Sequence, residues 1–253
     1  MTETKHKKGA LSLVVGKARE FLRFARLRAG IYRGIRADIP ADDNFGKALV
    51  ALAQCQSFHN YVKIGTAHGL GSTKRIADIL LSRPDSCCLW SLEASRLNHT
   101  VAVHNWQNAD LRGRLILIHG TIAADNMMTW EEVQADPIYQ GGNHTYTFDS
   151  YHKYKKVADD APDAMSHLPP DIDVLLLDGG ELHSYGEYRA LAGRAKIICL
   201  DDSFSVIKNR RVREEMLADD KWQIVIDNPQ DRNGWCIFCR PEYLAIVKSI
   251  LPQ

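Results

Sequence analysis

The chain has no apolar run approaching the ~18 residues of a membrane-spanning helix. It has no His-x-His and no His-Glu-x-x-His, so its ten histidines form neither of these metal-binding patterns. It has no internal repeat and no low-complexity segment, which excludes fibrous, solenoid and disordered classes. Net charge is nearly absent: 32 Lys/Arg against 31 Asp/Glu leave +1. A globally basic nucleic-acid binder is therefore not indicated. A disulfide framework is missing too. Cys55, Cys87, Cys88, Cys199, Cys236 and Cys239 fall mostly in apolar stretches. The Cys236-Ile-Phe-Cys239 pair lies on an expected strand, where residues three apart point to opposite faces. Reduced core thiols in a cytoplasmic protein are the expectation.

What is present is an ordinary globular composition, 45% hydrophobic and 25% charged over 253 residues. That length suits one large α/β domain with an appendage and needs no disulfide or metal staple. The small net charge conceals an asymmetry. Residues 1–36 hold ten Lys/Arg against Glu3 and Glu20, and the remainder holds 22 against 29. Leu11, Val14, Ala18, Leu22 and Ala25 recur at helical spacing, with Lys17, Arg19, Arg23 and Arg26 off the stripe. Residues 1–42 therefore read as a basic N-terminal helical arm. Two readings of its apolar face stay open: peripheral contact with an anionic membrane, or packing on the domain or on a second copy in a homo-oligomer.

From 43 to 253 the pattern alternates strand and helix. Strands are predicted at 61–64, 87–92, 115–118, 172–177 and 196–200, with helices over 43–57, 72–81, 95–108 and 206–218. Two last strands, 223–226 and 235–238, are joined only by a turn. The expected fold is a Rossmann-like, doubly wound, mostly parallel seven-stranded sheet with an antiparallel last strand. The connection 122–171 is too long for an ordinary crossover and reads as an inserted lid. It carries Trp130, Tyr139, Tyr146, Phe148, Tyr151 and Tyr154, suited either to stacking on a ligand or to a small core of its own.

In such sheets ligands sit at the carboxyl ends of the strands. The first strand runs into Gly65-Thr66-Ala67-His68-Gly69-Leu70-Gly71-Ser72, a loop that lets a ligand approach backbone N–H groups. The second ends at Glu93, placed to accept from ribose hydroxyls. The third ends at His119-Gly120-Thr121, the fourth at Asp178-Gly179-Gly180 and the fifth at Asp201-Asp202. Singly, each has a structural alternative, such as a turn or a helix cap for Asp202. Together they define a crevice at one sheet edge.

These segments, with IDVLLLDGGELHSYGEY, KIICLDDSF and the Arg232-Asn233-Gly234-Trp235 turn, resemble the class I S-adenosylmethionine (SAM)-dependent methyltransferases. They are most similar to metal-dependent O-methyltransferases of small molecules and sugars, over roughly residues 58–240. The resemblance implies SAM held by Gly65, Thr66, Gly69, Gly71, Ser72, Glu93, Gly120 and Thr121. It implies Mg²⁺ on Asp178, Asp201 and Asp202, with Asp178 and His183 as catalytic residues and His183 as general base. A hydroxyl of a small molecule or glycan would be the acceptor. Lys63 departs from the pattern, standing where the family usually has an acid. Two other readings stand beside this one. A short-chain dehydrogenase would use Gly65, Gly69 and Gly71 for NAD(P), with Tyr151-x-x-x-Lys155 as its catalytic pair. A non-catalytic docking protein would use the basic arm.

Overall fold

A computed structural model describes residues 39, 43–122, 127–142 and 146–251. The expected arm 1–42 lies outside the described residues except for Ile39, which is fully buried. The sheet holds β1 (Asn60–Ile64), β2 (Cys88–Glu93), β3 (Leu115–His119), β4 (Ile172–Leu177), β5 (Ala195–Asp201), β6 (Gln223–Asn228) and β7 (Trp235–Cys239). Their order is β3-β2-β1-β4-β5-β7-β6. All neighbouring pairs are parallel except those of β7, antiparallel to both β5 and β6. This is a Rossmann-like, doubly wound sheet of seven strands, as the alternation of elements predicts.

The strands are apolar on both faces because helices cover both. Val174 and Leu176 of β4 point into one core; Ile172, Leu175 and Leu177 point into the other. The same alternation separates Cys239 from Cys236, which lie in opposite cores and cannot form a pair. The first core is closed by α1 (Asn44–Gln54), α2 (Ser72–Ser82) and α9 (Leu244–Ile250). The second is closed by α7 (Ser184–Leu191) and α8 (Ile207–Ala218). Asp43 caps α1 by accepting from the backbone N–H groups of Phe45 and Gly46, at 2.8 and 3.3 Å. Beside β2, α3 (Arg96–Trp106) is capped by Ser95.

The long connection is built of short helices: α4 (Trp130–Ala135), α5 (Pro137–Gln140) and α6 (Phe148–Asp159). Reciprocal capping boxes start α4 at Thr129/Glu132 and α6 at Thr147/Ser150. Trp130 meets the rings of Tyr139, Phe148 and Tyr151 at centroid distances of 5.8, 5.6 and 5.6 Å. Met128, Val133, Tyr146, Tyr151, Leu182 and Ile207 form the small core beneath. Most of the lid's aromatic rings thus hold the lid itself together.

Candidate active site

β1 lies between β2 and β4, where the strand order reverses direction. That reversal opens a crevice outside the carboxyl ends of the strands. A cavity of about 580 Å³ occupies it, within the roughly 300–1,000 Å³ of small-molecule sites. Gly65 makes the close approach possible. Its φ is +90°, and a Cβ there would stand 2.2 Å from the carbonyl oxygen of Asp178. Among the described non-glycine residues, left-handed backbone occurs at Ala67, Arg112, Asp202 and Arg232. All but Arg112 line this cavity. Backbone in that sparsely populated region gathers where ligands are held.

On the β2 side, Glu93 accepts from the N–H groups of Ala67 and Ser95, at 2.7 and 2.9 Å. Burial pushes its carboxyl above the usual range, and these donors offset part of that rise. Gly120 and Thr121 line the same wall with Ile64, Leu92 and Ile122. The expected cofactor set divides here. Gly65, Glu93, Gly120 and Thr121 face the cavity, whereas Thr66, Gly69, Gly71 and Ser72 do not. The loop folds back onto protein. The Thr66 hydroxyl pairs with that of Ser91 at 2.7 Å, and Trp106 Nε1 donates to the Gly69 carbonyl at 2.9 Å. Gly71 caps α2, and Ser72 Oγ donates to Asp178 Oδ2 at 3.2 Å.

On the β4–β5 side, Asp178, Asp201 and Asp202 do converge on the cavity, but every carboxylate oxygen already has a donor. Lys208 Nζ bridges Asp178 Oδ1 and Asp202 Oδ2, at 3.0 Å each. Lys63, 1% exposed, donates to Asp178 Oδ2 at 3.0 Å and to the carbonyl of Gly65. Arg232 grips Asp201 with two N–H groups, at 2.7 and 3.2 Å, and Asn233 Nδ2 takes Asp202 Oδ1 at 2.9 Å. Burial opposes the charge on Asp178, but Lys63 and Lys208 outweigh it and hold the carboxyl well below the usual range. Burial likewise opposes the charge on Lys208, and Asp178, Asp201 and Asp202 override it, so the ammonium keeps its proton.

The expected Mg²⁺ therefore does not fit these residues as they stand. A hard ion needs carboxylate oxygens turned toward it, and here an ammonium lies between the two nearest ones. Among the described residues no group of three or more His, Cys, Asp or Glu is arranged to hold a metal ion.

Two more groups, His183 named from the sequence and Glu187 missed by it, stand on the wall formed by α7. His183 precedes the helix and is 7% exposed, and its Nε2 has no partner among the described residues. Burial holds its imidazole down at about 4. Glu187, one turn on, is 4% exposed and also leaves Oε2 without a partner among them. Burial pushes its carboxyl up to about 8, with Lys208 offsetting part and Glu93 adding to the rise. Both side chains are thus uncharged at neutral pH. From the lid, Tyr154, Val157 and Ala158 of α6 complete the cavity. Tyr151 is packed in the lid core and Lys155 pairs with Asp159, so neither member of the dehydrogenase pair reaches the cavity.

No protein-family model matches the sequence. No curated protein matches it either. Solved structures do. The O-methyltransferase from Bacillus cereus in complex with SAH is 18% identical, with TM-score 0.52, covering 85% of this chain and 90% of that one. The SAH-bound methyltransferase PaMTH1 of Podospora anserina is 12% identical, with TM-score 0.56 and 86% of each chain covered. The O-methyltransferase TomG of Streptomyces achromogenes, involved in tomaymycin synthesis and solved with SAM, is 13% identical. Its TM-score is 0.52, covering 87% of this chain and 89% of that one. At these identities the likeness is one of fold.

Proposed function

We propose that this chain is a SAM-dependent O-methyltransferase acting on a hydroxyl of a small molecule or glycan. The observation that carries the reading is the cavity at the sheet's reversal point, with Gly65 at one strand end and the buried Glu93 at the next. The fold is shared with O-methyltransferases solved with SAH or SAM. In this reading Glu93 accepts from the ribose hydroxyls of the cofactor. Gly120 and Thr121 border the adenine, and the acceptor enters beneath Tyr154 and Val157.

In the reaction, a lone pair of the acceptor oxygen attacks the sulfonium methyl. The C–O bond forms as the C–S bond breaks, its electron pair remaining on sulfur, and the hydroxyl proton leaves. In this reading His183, on the cavity wall, is the candidate to receive that proton, a weak base because burial holds its imidazole at about 4. Asp178 acts by holding Lys63 and Lys208 in place. The protein's main contribution is alignment of oxygen, carbon and sulfur in a pocket shielded from water. No step is assigned to a divalent ion, because the aspartates that would ligate it are engaged with cations.

Isothermal titration of the full chain with SAM, S-adenosylhomocysteine and NADPH tests the reading. Saturable binding of the first two alone is expected. Binding of NADPH alone, or of none of the three, would end it.

A further inference from the structure

We propose that Lys208 is the built-in cation of this pocket, its ammonium holding, between Asp178 and Asp202, the seat a divalent ion would otherwise take. The placement is not one a helix would choose for itself. Lys208 is in the first turn of α8, where the positive end of the helix dipole disfavours a cation. It is also 6% exposed, and burying a charge is costly unless it is paired. Two carboxylates at 3.0 Å supply the pairing. Asn209, the next residue, fixes the helix start by donating to the carbonyls of Leu177 and Asp201, at 2.9 and 2.6 Å. The ammonium is therefore anchored to the ends of both β4 and β5.

An ammonium has three donors. Two are spent on Asp178 and Asp202, and among the described residues no partner takes the third. Lys208 lines the cavity, so that third N–H is available to an oxygen bound there. Through it the residue supplies one fixed positive charge to a developing oxyanion without any exchangeable metal. This depends on the methyltransferase reading only for the identity of that oxygen, the acceptor hydroxyl. The cation's seat depends on the geometry alone.

The test is a titration of the full-length protein with Mn²⁺, reading the electron paramagnetic resonance of the free ion, alongside calorimetric titration with SAM in EDTA. The wild type is expected to leave Mn²⁺ free, and Lys208→Arg to behave likewise. Lys208→Met, which uncovers the carboxylates, is expected to take up one Mn²⁺ on the order of 100-fold more tightly. The double variant Lys208→Met/Asp202→Asn should lose that gained site. Wild-type uptake of one Mn²⁺ that disappears in Asp202→Asn would overturn the proposal, as would a folded Lys208→Met that gains none. Should Lys208→Met fail to fold, the wild type and Asp202→Asn still decide. Absence of SAM binding with Mn²⁺ refused would remove methyl transfer and leave the Lys208 assignment standing. SAM binding with Mn²⁺ uptake through Asp202 would do the reverse.

Discussion

Two walls of one cavity treat charge in opposite ways. At the ends of β4 and β5, Asp178, Asp201 and Asp202 are matched by Lys63, Lys208 and Arg232, and every carboxylate oxygen has a donor. Along β2 and α7, among the described residues, Glu93 has no cation in hydrogen-bond contact and is held by backbone N–H groups and Asn98, and Glu187 and His183 each keep a buried polar atom without a partner. An interior polar atom without a partner is costly. Such groups in native proteins call for a specific account, such as strain, a catalytic role or an ordered water. The first wall is thus fully paired within the protein, and the second, among the described residues, is not.

The sharpest way to break this contrast is Asp178→Ala, which takes one carboxylate from two buried ammoniums at once, leaving Lys208 with Asp202 and Lys63 with the carbonyl of Gly65. Removing one partner of a buried ion pair costs about 3–5 kcal/mol, so urea denaturation should show a loss of that size, or no folded protein. A change under about 1 kcal/mol would mean the cations are not held by this carboxylate. Next in size is the pH dependence of stability set by Glu187. The folded carboxyl stays protonated up to about pH 8, whereas the unfolded one ionises near its ordinary value of 4.5. Between those limits the folded state holds the extra proton, so the contribution of Glu187 to stability falls as pH rises from about 5 to 8, against an opposite slope from His183 below about 6.5. Glu187→Gln should flatten that slope in chemical denaturation series, and an unchanged slope would place the titration elsewhere.

A cationic ligand beside Glu187 would favour its ionised form. SAM binding at pH 7 should then release protons, seen as a dependence of calorimetric heat on buffer ionisation enthalpy, and Glu187→Gln should abolish the release. Smaller still is Glu93→Gln, which removes charge but keeps an acceptor. A loss of about tenfold in SAM affinity is expected from one weakened charged hydrogen bond. The thermal midpoint should hardly move.

The sheet was legible because its strands are long apolar runs bounded by turn residues. Ile172–Leu177 is predicted and observed over the same span, and the other strands agree within two residues at each end. Among the described residues five α-helices escaped notice, three of them (α4, α5 and α6) inside the connection read only as a lid. Ser184–Leu191 is short and interrupted by Gly186, and Leu244–Ile250 carries β-branched residues that read equally as strand. The acidic half of the site was legible from strand-end positions alone. Its cationic half was not, since Lys208 sits in the run Lys-Asn-Arg-Arg, which reads as a solvated helix face. Two clues were nevertheless present. Lys63 interrupts an apolar strand, and a buried lysine demands a carboxylate. Lys208 stands in a helix's first turn, six residues after Asp202, against the dipole. The folding back of Gly69–Ser72 depends on Trp106, 37 residues from Gly69, and no local pattern shows that contact.

A metal centre can chelate, gripping two neighbouring oxygens of a catechol or vicinal diol at once. A lysine head with a single uncommitted hydrogen holds one. Acceptors for this pocket should therefore be ranked by shape and by the acidity of a lone hydroxyl. Adding an adjacent second hydroxyl to an otherwise identical molecule should bring no advantage in turnover.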